Sequence, residues 1–157
     1  MSTPVHALTV AAAIGCGLLA GVWFAFSAFV MYGLDRLPAH QGIAAMQSIN
    51  RAAVTPLLMA ALFGTAALCV GLVVWAAVQW GDRAAWVLAG GALYLVGTIG
   101  VTMAANVPRN DALAALDPHH ASAAGHWKKY VQTWTTWNHV RGVTSLAAAA
   151  LLTMGLT

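Results

Sequence analysis

The chain has 157 residues, of which 61% are hydrophobic and 7% charged, against roughly a quarter charged in ordinary soluble domains. That balance excludes a water-soluble protein of ordinary composition and points to lipid as the solvent. The net charge of +3 is scattered over the connections instead of gathered in a basic tail, so no nucleic acid partner is expected.

Four apolar stretches, about residues 6–32, 52–80, 84–105 and 134–157, predict one integral membrane domain of the all-α class. The expected architecture is a four-helix transmembrane bundle with a polar, partly helical connection between helices 3 and 4. The first three stretches exceed the ~20 residues needed to cross ~30 Å of hydrocarbon, and the fourth reaches that length only when Trp134 to Arg141 are counted. No Lys or Arg precedes the first stretch, which is also too long for a signal core, so it is expected to stay in the mature protein. It carries Gly17 and Gly21, a small-xxx-small pair expected to seat a neighbouring helix of the same chain, with a homo-oligomer left open. Its far end, Trp23 to Tyr32, is rich in aromatics, and Leu37-Pro38 stops it.

His40 to Arg51 reads as a semi-polar helix with Gln47, Asn50 and Val54 on one face. Pro56 marks a kink or a break at the entrance of the second stretch. Such a bend either takes the chain off the membrane surface or opens room near Asn50, Arg51 and Thr55. Trp80 to Arg83 is a tight structural turn. Gly90, Gly91, Gly97 and Gly100, with Thr98 and Thr102 among them, predict close helix contact for the third stretch. Cys16 and Cys69 lie inside apolar stretches without metal-type spacing and read as packing residues.

The connection from Asn106 to Gln132 is the most polar part of the chain. Pro108 is expected to end or bend the third helix, Asn110 to cap a short helix over residues 111–116, and Asp117-Pro118 to start the next. His119, His120 and His126, with His40 on the same side, read as a solvated loop in preference to a metal site. Their spacing gives no i, i+4 pair, and no carboxylate or thiolate joins them. Arg36, Arg51, Arg109, Lys128, Lys129 and Arg141 fall in or beside the first and third connections, with Arg83 alone on the opposite side. The positive-inside rule then places both termini outside the cell membrane.

At about 100° per residue, Trp127, Tyr130, Trp134, Trp137, Asn138, Arg141 and Ser145 share a stripe about 100° wide. Rings give stacking area and the polar groups fix orientation, so the stripe is a wall for a flat, polar-edged aromatic molecule. The competing reading is an interfacial aromatic belt with Arg141 snorkelling to headgroups. Arg141 lies one to two turns inside the stretch and shares its face with Asn138, which favours an inward guanidinium. His139, two positions from Arg141, faces another way, toward Thr135 and Gly142, at the rim of any such pocket.

The sequence resembles the anthrone oxygenase-like family, small four-span membrane proteins mostly of unknown function. The likeness rests on Asn106-x-Pro108-x-Asn110 and on Trp134-x-x-Trp137-Asn138-His139-x-x-Gly142 with Arg141. The aromatic first stretch, Asn50-Arg51 and the overall layout agree with it. Arg109 and Gly142 stand where the family pattern leads one to expect an apolar residue and a Thr. The resemblance implies oxidation of a lipophilic, polycyclic anthrone-type substrate by molecular oxygen. On that basis His139 is the expected base and Arg141 with Asn138 the oxyanion stabilisers. Tyr130, Trp134 and Trp137 would bind the rings, and Asn50, Asn106 and Asn110 would complete the rim. The expected partners are the lipid bilayer and a hydrophobic aromatic small molecule. No cofactor and no metal ligands are predicted, with haem, a quinone or a metal left open. Two readings from other classes stand beside the enzyme: a noncatalytic binder or permease for a quinone, haem or other hydrophobic molecule, and a structural bundle assembling through its glycine faces.

Overall fold

The computed structural model describes Met1–Thr157 and is helical almost throughout, with no strand. Five helices follow one another: α1 (Thr3–Asp35), α2 (Ala39–Ala52), α3 (Pro56–Val78), α4 (Asp82–Ala114) and α5 (Ala123–Met154). Three of them, α1, α3 and α4, are long and apolar enough to cross a membrane. The fourth expected span corresponds to α5, which is 32 residues long. Lys128, Lys129, Asn138, His139 and Arg141 dilute its apolar character, so length and composition alone do not mark it as a crossing.

Local chemistry sets the helix ends. Pro38 follows the end of α1, because a residue before proline is pushed out of the helical region. Pro56 follows a true break: α2 ends at Ala52, and Thr55 is extended, with φ −100° and ψ 151°. The Thr55 hydroxyl accepts the Leu58 N–H at 3.3 Å, and Pro56 occupies the first turn of α3, where its missing N–H costs nothing. Val54 lies beyond α2 and is exposed, so it leaves the face expected to hold it with Gln47 and Asn50. Gln47 does face inward, its Nε2 donating to the Leu113 and Leu116 carbonyls at 2.8 and 2.9 Å. Arg83 donates to the Thr157 carbonyl at 2.8 Å, and Met1, Ser2 and Gly81 border one cavity there. Both termini and the α3–α4 turn thus share one end of the molecule; α2 and the α4–α5 connection occupy the other.

Of the end or bend expected at Pro108, the end is not found. Helix α4 runs through it to Ala114, preceded by π-helical stretches at Leu95–Gly100 and Thr102–Asn106. Widening the helix just before the proline accommodates its ring and its absent donor. Asn110 therefore sits within a helix instead of capping one. Helix α5 begins at Ala123, after Ser122, and not at Asp117-Pro118. The Asp117 carboxylate accepts the His119 N–H at 2.9 Å, a local turn that competes with helix. The His119 ring stacks on His40, with centroids 5.3 Å apart, and so joins this connection to α2. A third π-helical stretch, Phe26–Val30, lies near the end of α1.

Toward the end holding the termini the bundle is dry. Cys16, Leu19, Cys69, Leu72, Tyr94 and Leu152 are buried together, the two thiols free and packed as expected. Small residues permit the approach: a Cβ at Gly90 would stand 2.9 Å from Leu152, and one at Gly97 would stand 2.5 Å from Thr144. Gly91 meets Val73 in the same way, whereas Gly100 contacts no other helix. Gly17 and Gly21, expected to seat a helix of the same chain, face open space; the close glycine of α1 is Gly15, against Thr65. Gly17 lies two positions beyond Gly15, about 200° around the helix, so the pair faces away from α3.

Candidate functional site

The inner stripe of α5 is buried as its periodicity predicts. Trp127, Tyr130, Trp134, Asn138, Arg141 and Ser145 all point into the bundle. Trp137 does not: it is 39% exposed, at the edge of the stripe, with the Arg109 guanidinium 6.0 Å from its ring centroid. Its place in the helical wheel is the most peripheral of the seven.

Facing this stripe, α4 carries Thr98, Thr102, Asn106 and Asn110. A spacing of four overshoots a 3.6-residue turn, so in a regular α-helix the set drifts by about 40° per step. The two π-helical stretches take that drift back. All four side chains consequently meet α5. Thr98 Oγ1 lies 2.7 Å from Ser145 Oγ, and Asn106 Nδ2 donates to the Trp134 carbonyl at 3.2 Å. Asn110 Oδ1 accepts from both Tyr130 Oη, at 2.9 Å, and Trp134 Nε1, at 2.8 Å. Asn50, on α2, lies near the Tyr130 hydroxyl, its own Nδ2 unpartnered.

Arg141 is the centre of the arrangement. It is 3% exposed, and its guanidinium carbon lies 3.9 Å from the Trp23 ring centroid and 5.3 Å from that of Trp134. Nη2 donates to Asn138 Oδ1 at 2.7 Å, Nη1 makes a long contact of 3.4 Å to Thr102 Oγ1, and Nε has no partner. All four acidic residues of the chain, Asp35, Asp82, Asp111 and Asp117, are exposed. The guanidinium thus has no counter-charge. Burying an unpaired charge costs several kcal/mol, which the two rings offset by about 2 kcal/mol and the Asn138 hydrogen bond by roughly 1.5–3 kcal/mol. The rings of Trp127, Tyr130 and Trp134 stack on one another, with centroids 5.7 and 6.3 Å apart, and Phe26 tilts against Trp134. Their faces are therefore occupied by each other and by Arg141.

Asn138 turns this charge outward. Arginine only donates, so the amide oxygen must face Arg141 and the nitrogen must face away. Nδ2 donates to the Trp23 carbonyl and to Ser27 Oγ, both at 2.7 Å. Ser27 borders two adjoining cavities between α1 and α5, of about 380 and 370 Å³, and His139 borders both as well. His139 is exposed and separated from the guanidinium by the helix itself. The structure thus brings Asn138, Arg141, Trp134, Tyr130, Asn106 and Asn110 into one network, with Asn50 beside it. His139 stands on the far side of α5, alongside Thr135 and Gly142, and Trp137 at the margin. Trp23, Ser27 and Thr102 belong to the network without having been expected. The i, i+4 pair Trp23/Ser27 and the four-residue spacing on α4 are the signals that carry them.

A cavity of about 340 Å³ beside Arg109, His126 and Lys129 lies at the polar end, with Tyr130 in its wall. Comparison with curated proteins and with solved structures gave no significant match. The family model described as anthrone oxygenase matches residues 56–151. That segment is well over half of the chain and contains both the α4 asparagines and the α5 stripe from Trp127 to Ser145, while Trp23, Ser27 and Asn50 precede it; the chain belongs to the anthrone oxygenase family.

Proposed function

We propose that the protein is a membrane-embedded oxygenase that converts a lipophilic, anthrone-type polycyclic aromatic to the corresponding quinone with molecular oxygen. In this reading α5 is the fourth membrane crossing, and both termini lie outside the cell membrane. The observation that carries the proposal is Arg141, a buried guanidinium without a carboxylate partner, held by Asn138. A cation maintained at that cost in a bundle of so few charges is a preorganised stabiliser for a developing anion.

The chemistry is within reach of these residues. His139 removes a proton from the activated methylene, and the resulting oxyanion is delocalised over the rings. The anion passes an electron to oxygen, the two radicals combine to form a C–O bond, and the proton from His139 completes a hydroperoxide. Cleavage of its O–O bond with loss of the remaining C–H proton gives the second carbonyl and one water. The substrate itself reduces oxygen, so the chain needs only a base, a source of positive potential and a dry site. Trp134 forms, with Trp23, the cage that fixes Arg141; Asn110 holds the Trp134 and Tyr130 side chains, and Asn106 holds the Trp134 carbonyl. Asn50 supports Tyr130 from α2.

Oxygen uptake by purified protein with a dihydroxyanthrone tests the reading. Wild-type rates above the spontaneous oxidation are expected, lost in both His139→Ala and Arg141→Ala. A wild-type rate equal to background would remove the oxygenase. The noncatalytic alternative, a binder or permease for a quinone, haem or other hydrophobic molecule, draws on the same cavities. A visible absorbance band copurifying with the protein would favour it.

A further inference from the structure

The charge of Arg141 and the base His139 lie on different sides of α5, and neither Arg141 nor Asn138 borders the two cavities that His139 borders. If both groups act on one molecule, something must carry the influence of the buried cation across. We infer that the groove between α1 and α5 is where a flat phenolic aromatic ketone binds, entering sideways from lipid, and that the Ser27 hydroxyl is the donor that meets its oxygen. This inference rests on the oxygenase reading for the reaction and on the geometry alone for the binding site.

The direction of the hydrogen bonds follows by elimination. Arg141 can only donate, which fixes Asn138 Oδ1; Nδ2 then donates to Ser27 Oγ, which must accept. The Ser27 proton is left over. Hydroxyls on a helix normally bond back to the carbonyl four residues earlier, as Thr133, Thr136 and Thr144 do on α5 at 2.8 Å. Ser27 makes no such bond; it lies in the π-helical stretch Phe26–Val30, and the Trp23 carbonyl that would take its proton accepts from Asn138 instead. Its O–H is free to point into the groove. Each bond in the chain Arg141, Asn138, Ser27 polarises the next, so the hydroxyl is a stronger donor than an isolated serine. Across the groove, Thr135 is a second hydroxyl without a back-bond, its Oγ1 buried and unpartnered.

The shape agrees with a thin ring system. Gly17 and Gly21 form the wall of α1, and a Cβ added to either meets nothing within 4 Å. Phe24, Val143 and Leu146 rim the opening and are exposed on the apolar surface of the bundle. The two adjoining cavities fall in the size range of small-molecule sites, roughly 300–1,000 Å³. His139 stands where they join, so a ring system spanning both has its centre beside the imidazole and an oxygen within reach of Ser27.

Five proteins test this: wild type, Gly21→Leu to fill the groove, Ser27→Ala to remove the donor, Ser27→Thr to restore it, and Gly71→Leu on the exposed face of α3 as control. The readouts are oxygen uptake with a dihydroxyanthrone and quenching of tryptophan fluorescence by the corresponding dihydroxyanthraquinone. Gly21→Leu is expected to weaken both KM and quinone binding at least about tenfold, the effect of 1.4 kcal/mol. Ser27→Ala is expected to lower kcat on the order of a hundredfold, as for other lost oxyanion donors, with Ser27→Thr partly restoring it. Gly71→Leu should match wild type. Turnover by wild type, Gly21→Leu and Ser27→Ala alike would overturn the groove and leave the oxygenase standing. Quinone binding lost in Gly21→Leu without any wild-type turnover would keep the binding site and remove the oxygenase. A wild type that neither binds nor turns over overturns both.

Discussion

The two ends of the helical bundle solve different problems with the same few residue types. Around Cys16, Cys69, Tyr94 and Leu152 the helices touch through glycine and alanine, and the polar atoms present are satisfied at home, as in the bond from Tyr94 Oη to the Leu62 carbonyl at 3.0 Å. Toward the other end, Trp23, Asn106, Asn138 and Arg141 are just as buried, yet Trp23 Nε1, Asn106 Oδ1 and Arg141 Nε have no partner. Lipid gives helices no hydrophobic reason to associate, so the dry end holds the fold by close packing. The polar end adds little to that and carries an uncompensated charge. In the proposed reading it provides positive potential aimed at one place.

The sharpest way to break this contrast is Arg141→Met, which keeps the length and removes the charge. Activity on a dihydroxyanthrone is expected to fall by about 10²–10³, or roughly 2.7–4 kcal/mol. Thermal stability in detergent should stay level or rise, since replacing a buried ion by a well-packed apolar side chain is often neutral or stabilising. Loss of folding together with loss of activity would instead make Arg141 a structural pin. At the dry end the signs reverse. Gly97→Leu drives a side chain into Thr144, where even a Cβ would be 2.5 Å away. It should cost about 1–3 kcal/mol of stability, read from denaturation in mixed detergent. Activity per folded molecule should hold.

How much of this was readable from sequence differs along the same line. Apolar length gave α1, α3 and α4, and Pro56 marked a kink or a break, of which the structure has the break. The buried stripe on α5 followed from a 3.6-residue repeat that the helix keeps over its whole length. Helix α4 does not keep it: π-helical widening realigns Thr98, Thr102, Asn106 and Asn110 and carries the helix through Pro108, and no residue type announces that. The same irregularity in α1 turns Ser27 toward Asn138. Gly17 and Gly21 illustrate the converse, since a small-xxx-small spacing states that close approach is possible and not which molecule makes it. The separation of His139 from Arg141 was evident from their positions two apart on one helix, whereas the groove that His139 borders depends on how α1 crosses α5.

A smaller effect tests the dry end by itself. Tyr94→Phe removes one buried hydroxyl while keeping the ring that fills the core. Side-chain hydrogen bonds in membrane bundles are worth about 0.6 kcal/mol on average, and the loss should be of that order in the same denaturation assay. A loss several times larger would mean that this end, too, depends on its polar contacts, and the contrast with the Arg141 network would weaken.

The smallest change is expected at Trp137, and for that reason it bears on where the site lies. Trp134 and Trp137 belong to one motif three residues apart, yet the first is enclosed between Tyr130, Phe26 and Arg141 and the second is 39% exposed beside Arg109. Outside the network, Trp137→Ala should change stability by no more than about 0.5 kcal/mol, and turnover by about twofold at most, the rate equivalent of the same energy. Trp134→Ala leaves the Arg141 guanidinium with one ring in place of two and Asn110 with one donor in place of two, and should be far more harmful to turnover. Equal losses in both would shift the reacting molecule from the α1–α5 groove to the polar end of α5, where Trp137 and Arg109 meet.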